Sequence, residues 1–257
     1  MEARETFEDV AELYGEVRQG YPAALFDDLI AMGALGPASR VLEVGCGAGQ
    51  ATGDLARRAG GVMALDPGAQ LIEAAKARVS AANARFVVSG FEDFAVEPGG
   101  FDLVASAQAW HWIAPQAAFP KAALALAEDG WLAVFGHVPL PPPAAVAPAF
   151  ERAFAEHAPG VWGRPPPQAW YLPGGPVAGL FEASGLFGPV AHRGYGWRWR
   201  VNAETFGKYL RTDSSYRALA EAPRMALFDA LAAAVAAAEG GEVSLGWETH
   251  LYAARRG

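Results

Sequence analysis

One cysteine, Cys46, stands in a chain of 257 residues. A lone thiol excludes an intramolecular disulfide framework and fits a reducing compartment. Positive charge is short as well, with 20 Lys and Arg against 28 Asp and Glu and a formal net charge of −8. Neutralising phosphates takes an excess of cations, so no nucleic-acid partner is expected. The stretch "RGYGWRWR" (193–200) is the one basic candidate, and its period of two reads as a half-exposed strand rather than a base-stacking surface. Apolar runs of bilayer-spanning length, free of Gly, Pro and charge, are missing. "LFDALAAAVAAAEGG" is too short and reads as an Ala-rich helix, so no membrane association is expected. The opening "MEARETFEDVAELYGEVRQG" lacks an apolar h-region, so it does not read as a signal peptide and a cytoplasmic location is expected. Asp, Asn, His and Cys nowhere cluster at metal-ligand spacing, so no metal is expected. No obligate protein partner is evident.

What is present suits a large core, with 52% hydrophobic and 19% charged residues. Apolar positions Phe7, Val10, Leu13, Tyr14 and Val17 predict a helix over 6–18, and "YPAALFDDLIAMGAL" predicts a second over 21–35. From there short apolar runs at 40–45, 61–66, 85–89, 101–106 and 131–136 alternate with helical sequence. Buried parallel strands look like this, and the alternation predicts an α/β fold with a doubly wound, mostly parallel sheet. The rhythm breaks at 138–190, where "VPLPPPAAVAP" and "GRPPPQAWYLPGGP" concentrate proline and rings. A connection of that length reads as a functional lid or a spacer, and large rings argue against a spacer. Helices at 147–157 and 176–184 are expected within it. A strand at 190–200, helices at 203–211 and 221–238 and a final strand in "EVSLGWETHLYAARR" follow. The expected organisation is one domain over 1–257. Its parts are a helical cap (1–36), a cofactor-binding core (37–137), an inserted lid (138–190) and the C-terminal part of the sheet (191–257).

The most informative stretch is "VLEVGCGAGQATGDLARRAGGVMALD" (41–66), a strand, a glycine loop, a helix and a second strand ending on an acid. Such a loop sets backbone N–H groups and a helix N-terminus beside a ligand. Dinucleotide binders use G-x-G-x-x-G, but Gln50 occupies the third glycine's place. The glycines fall at Gly45, Gly47 and Gly49, preceded by Glu43. Asp66 can take the hydroxyls of an adenosine ribose and by itself does not discriminate between adenosine ligands. A tight βα turn with no ligand is the plain alternative for any glycine loop.

Residues 41–135 resemble the core of the class I S-adenosylmethionine-dependent methyltransferases, in particular the broad small-molecule group called type 11. "VLEVGCGAGQATGDLA" is similar to the family's first motif and "GVMALDPGAQLIEAAKAR" to its second strand and helix. "ARFVVSGFEDF", "FDLVASAQAWHW" and "ALAEDGWLAVFG" resemble the next three strands with their turns. "ELYGEVRQGYP" resembles the N-terminal cap and "FGKYLRTDSSY" a segment before the last strand. The resemblance implies a seven-stranded sheet with an antiparallel last strand and S-adenosyl-L-methionine as cofactor, leaving S-adenosyl-L-homocysteine. Gly45, Gly47 and Gly49 would admit the cofactor's methionine and ribose, with Glu43 near the amino group and Asp66 on the ribose. Pro67 and Leu71 would lie against adenine, edged by Phe91 and Glu92. The family often has an acid where Gly90 stands, and Glu92 or Asp93 would take its contact. Ala107 and Gln108 would sit beside the methionine moiety, and Tyr14, Arg18 and Tyr21 would close over its carboxylate.

The acceptor is expected to be a small molecule, methylated on oxygen, carbon or a carboxyl group. His111, just past the fourth strand in "AQAWHWIAP", is the candidate general base, with His137 second. A histidine packed between tryptophans or holding a backbone group is the plain alternative for His111. Trp110, Trp112, Trp162, Trp170 and Tyr171 could wall an apolar acceptor site or belong to ordinary core. "SAQAW" differs from the Asn/Asp-Pro-Pro-aromatic run of nucleic-acid amino methylation. Two rival functions stay open, a silent adenosine-ligand binder with a regulatory role and a nicotinamide-dependent oxidoreductase.

Overall fold

In the computed structural model, residues 11–216 and 219–257 are described. Phe7 and Val10 of the first predicted helix lie outside them; the helix itself is described over α1 (Ala11–Val17). It is followed by α2 (Ala23–Ala31), which buries Leu25, Phe26 and Leu29 on one face as its three-to-four spacing requires.

The alternating pattern forms β1 (Arg40–Val44), α3 (Thr52–Ala56), β2 (Gly61–Asp66), α4 (Ala69–Arg78), β3 (Ala84–Val88), β4 (Phe101–Ala107), α5 (Pro115–Ala125) and β5 (Leu126–Pro139). Then come α6 (Ala147–His157), α7 (Val177–Ser184), β6 (Ala191–Asn202), α8 (Ala203–Arg211), α9 (Glu221–Ala236) and β7 (Glu242–Arg255). The seven strands form one sheet in the order β3-β2-β1-β4-β5-β7-β6. The pairings of β1 with β2 and β4, of β2 with β3 and of β4 with β5 are parallel. β7 runs against β5: Arg256 N–H donates to the Gly130 carbonyl and Leu140 N–H to the Gly246 carbonyl, so one number rises as the other falls. β6 also runs against β7, with Arg200 beside Glu242 and His192 beside His250. Central strands are apolar on both faces, as in Val41, Leu42 and Val44 of β1 and Leu132, Ala133, Val134 and Phe135 of β5.

β5 begins earlier than the apolar run predicts. Leu126 already pairs with Phe101, and a bulge carries the register on to Leu103 and Trp131. Asp129, at φ 64°, lies in the extra residues, next to Gly130, which a polar turn can accommodate and an apolar pattern does not reveal.

The chain divides into two compact units. The first holds the described residues up to His137 together with 170–195 and 249–257, and the second holds 138–169 and 196–248. The proline-rich segment is therefore shared out, 138–169 to the second unit and 170–190 to the first. Within the second unit α9 packs on α6 and α8, and Phe150 stacks on Phe206 at 5.7 Å. Trp197 stacks on Trp247 at 5.7 Å, and Trp162 lies 5.3 Å from Phe154.

Candidate functional site

The site grows out of the carboxyl ends of β1, β2, β4 and β5, all in the first unit. β1 ends into a turn where Gly45, Gly47 and Gly49 take φ of 72°, 55° and 82°, a region side-chain-bearing residues avoid. At Gly45 a Cβ would come within 2.2 Å of Ala109 Cβ, and at Gly49 within 2.9 Å of Val79. These two glycines are thus demanded by packing; Gly47 is the looser one, its nearest neighbours being Gln50 at 3.4 Å and Tyr14 at 3.7 Å. Asp66 closes β2 and grips the loop: Gly47 N–H donates to Oδ2 at 2.9 Å and Gly68 N–H to Oδ1 at 2.9 Å.

Glu43 lies behind the loop, fully buried, and neither carboxylate oxygen has a hydrogen-bond partner among the described residues. Burial pushes it up to about 8, and the Asp66 charge adds to the rise. The neighbouring Thr52 hydroxyl opposes it without closing a bond of ordinary geometry. The Gln50 amide nitrogen is likewise buried with no partner among the described residues. A buried acid and a buried amide left open call for something else to satisfy them.

The first helix covers this turn. Tyr14 packs on the buried pair Ala48 and Leu71, Arg18 lies 5.2 Å over the Tyr14 ring, and Arg78 holds the Gly15 carbonyl. Tyr21 lies between Phe135, met edge-on at 4.8 Å, and His137, stacked at 4.3 Å. Burial, then Tyr14, Tyr171 and Glu43, push its hydroxyl well above the usual phenol range, with Arg18 opposing. Pro67 is exposed and Leu71 buried at the start of α4. Phe91 is buried against Trp110, with Lys121 5.6 Å from its ring and donating to the Glu92 carbonyl. Where Gly90 lacks an acid, Glu92 and Asp93 bring carboxylate oxygens within 3.3 and 3.5 Å of the Cβ position.

At the end of β4, Ala107 is half-buried and Gln108 sits at φ 62°. That conformation costs about 1–2 kcal/mol for a residue with a Cβ. Three bonds hold it: Gln108 N–H to the Phe135 carbonyl, Nε2 to the His137 carbonyl, and His137 N–H to Oε1. The Gln108 amide is spent on β5 backbone. His137, the second candidate base, is an anchor: its Nδ1 lies 2.8 Å from Thr249 Oγ1. Burial holds it down to about 3, against the pull of the Gly20 carbonyl.

His111 follows in a short 3₁₀ turn, with Nδ1 3.1 Å from the Tyr171 hydroxyl and the rings of Trp112 and Trp170 at 4.8 and 5.8 Å. Burial lowers it to about 4, so the imidazole is neutral at physiological pH. Of the predicted wall, Trp110 is core between Phe91 and Phe119, whereas Trp112 is exposed and Trp162 belongs to the second unit. The sequence reading missed Thr52 beside Glu43, and Gly136 under Tyr171. A glycine closing the apolar run "WLAVFG" is the kind of signal that marks a close approach.

Among the described residues no helix is long and apolar enough to cross a membrane, and no group of three or more His, Cys, Asp or Glu could hold a metal. Residues 42–134 match a type 11 family described as "Methyltransferase domain". An uncharacterized methyltransferase of Mycobacterium tuberculosis is 31% identical over 127 residues, 49% of this chain and 50% of the relative. A Saccharomyces cerevisiae protein named "Probable S-adenosylmethionine-dependent methyltransferase" is 26% identical over 130 residues, 49% of this chain and 44% of the relative. The chain thus spans about half the length of the curated relatives it matches. A solved protein of Anaeromyxobacter dehalogenans shares the fold over 93% of this chain and 97% of its own, with TM-score 0.63 and 23% identity. With the strand order, the glycine turn and Asp66 in place, residues 42–134 form a class I S-adenosylmethionine-dependent methyltransferase domain of the type 11 group.

Proposed function

We propose that the chain is an S-adenosylmethionine-dependent methyltransferase acting on a small-molecule acceptor. The observation that carries this reading is Glu43, a buried acid with no hydrogen-bond partner among the described residues. Burial leaves such an acid protonated or in need of a cation, and the ammonium of a bound amino-acid moiety is that cation. An adenosine ligand without an ammonium group, such as a nicotinamide dinucleotide, carries no such partner for Glu43.

The other residues fit the same ligand. Asp66, whose two oxygens accept the Gly47 and Gly68 N–H groups, is the acid at the end of the second strand on which the ribose would lie. Gly45, Gly47 and Gly49 bring the chain past the ligand without side chains. Pro67, Leu71, Phe91 and Glu92 supply the adenine side, and Ala107 with Gln108 the methionine side. Tyr14, Arg18 and Tyr21 cover the turn and exclude water. S-adenosylmethionine, when bound, supplies a methyl group on a sulfonium, released to a nucleophile as the C–S electron pair returns to sulfur. The chain's own part is alignment of the two reactants and exclusion of water.

Calorimetry with S-adenosylhomocysteine and, separately, NAD tests the cofactor. Binding of the first and none of the second is expected, and the reverse would sink the reading. Transfer of a labelled methyl group to any small acid, phenol or alcohol separates an enzyme from a silent binder.

A further inference from the structure

The phenol beside His111 decides which way a proton can move on the acceptor side. Tyr171 is fully buried, and its hydroxyl has His111 Nδ1 as its one hydrogen-bond partner among the described residues. A buried hydroxyl with a single partner, an imidazole nitrogen, satisfies its hydrogen only by donating it. In the opposite arrangement Nδ1–H donates, and the phenol hydrogen is left buried and unpaired. The phenol cannot swing away. Tyr252 Oη donates to the Tyr171 carbonyl at 3.0 Å, and Trp170 packs on the ring edge-on at 5.0 Å. The ring also lies over Gly136, where a Cβ would meet it at 2.6 Å. Nδ1 is therefore the acceptor, and the hydrogen of the neutral imidazole sits on Nε2. That nitrogen has no partner among the described residues and is not among the buried unpartnered atoms, so it reaches solvent.

We infer that Tyr171 is a positioning residue that holds His111 as an Nε2–H hydrogen-bond donor, and that the acceptor is a carboxylate rather than a phenol or alcohol. The inference rests on the methyltransferase reading. Methylation of a phenol or alcohol releases a proton, and neither His111 nitrogen can take it: Nδ1 is occupied by Tyr171 and Nε2 already carries hydrogen. A carboxylate is ionised at neutral pH and has no proton to lose. As its O–C bond forms and the C–S bond breaks, the electron pair goes to sulfur, and a neutral ester and a neutral thioether result. One carboxylate oxygen can accept from Nε2–H while the other attacks. The rings of Trp112 and Trp170 around His111 suit an acid with an apolar body.

Two-bond proton–nitrogen correlation spectra of the full chain, labelled with ¹⁵N-histidine, read the tautomer without any turnover. His111 should carry its hydrogen on Nε2 alone, and Tyr171→Phe, which keeps the ring over Gly136, should give a mixture of tautomers. Hydrogen on Nδ1 in the unmodified protein would overturn the lock. For the acceptor class, phenylacetate and hexanoate are compared with phenol and benzyl alcohol as labelled-methyl acceptors. Label should enter the acids at a rate flat from about pH 6 to 8.5, since their carboxyl groups titrate below that range. Tyr171→Phe should raise KM for the acids about tenfold, the equivalent of one oriented hydrogen bond, with less effect on kcat. Label in the phenol or alcohol, or in none of the four, would overturn the carboxylate assignment. Failure to bind S-adenosylhomocysteine would instead overturn the methyltransferase reading, leaving the tautomer result standing.

Discussion

The two sides of the candidate site bury their ionisable groups in opposite senses. Beside the glycine turn, burial raises an acid, Glu43, to about 8. Beside the end of β4 and β5, burial lowers two imidazoles, His111 to about 4 and His137 to about 3. Both sides are neutral at physiological pH, yet they differ in what would complete them. Glu43 has no hydrogen-bond partner among the described residues. His111 and His137 are each held at Nδ1, by Tyr171 and Thr249. The first side leaves its acid without a hydrogen-bond partner among the described residues, and the second fixes its imidazoles.

The largest effect follows from Glu43. Its folded value lies above the unfolded 4.5, so its contribution to stability is complete below pH 4.5 and is lost as pH rises to about 8. The loss is about 1.4 kcal/mol per pH unit, ~5 kcal/mol across the window. Glu43→Gln should flatten this descent in denaturant titrations, and S-adenosylhomocysteine should protect the unmodified protein more as pH rises. An unchanged descent in Glu43→Gln would remove the distinction between the two sides.

Next comes the turn's backbone. Gly45→Ala combines φ 72° with a Cβ 2.2 Å from Ala109 Cβ. It should destabilise by about 2–5 kcal/mol, the sum of a left-handed residue and overpacking, seen as a lower denaturation midpoint. Gly136→Ala, on the other side, meets Tyr171 and Gln108 at 2.6 Å with no left-handed residue to strain, so its cost should be the overpacking alone, about 1–3 kcal/mol.

The acid limb sharpens the contrast. His111 contributes stability that is complete above pH 6.5 and lost as pH falls to about 4. His111→Gln should remove about 1.4 kcal/mol per pH unit from the acid limb within that window, while His137 keeps its share. An effect on binding rather than on stability is expected at Asp66. Asp66→Asn keeps an acceptor for one backbone N–H and should weaken S-adenosylhomocysteine binding by about 1–3 kcal/mol by calorimetry. Equal affinity would remove Asp66 from the cofactor side.

Much of the fold was legible because its signals are local. The helices at 147–157 and 203–211 have the predicted bounds, and strands β1 to β4 agree to a residue or so. The early start of β5 was not legible, since "AEDG" is polar and enters the strand through a bulge. On the site, Asp66 and the three glycines were legible from spacing, and their hold on one another is seen in the Gly47–Asp66 bond. The partner of His111 was not. Tyr171 is 60 residues away, and no periodicity links the two. Trp110 and Trp112 look alike in sequence, yet one is 1% and the other 39% exposed.

By itself the sequence determined the strand–turn–helix order, the glycines of the turn and the acids on either side, because backbone conformation and period are properties of near neighbours. Tertiary structure alone decided which of these groups meet a hydrogen-bond partner and how deeply each is buried. Whether an acid is ionised, or which nitrogen of an imidazole holds hydrogen, depends on burial and on a partner brought in from far along the chain. Desolvation and hydrogen bonding act through space, so Glu43 and His111 acquire their chemistry only when the sheet is assembled.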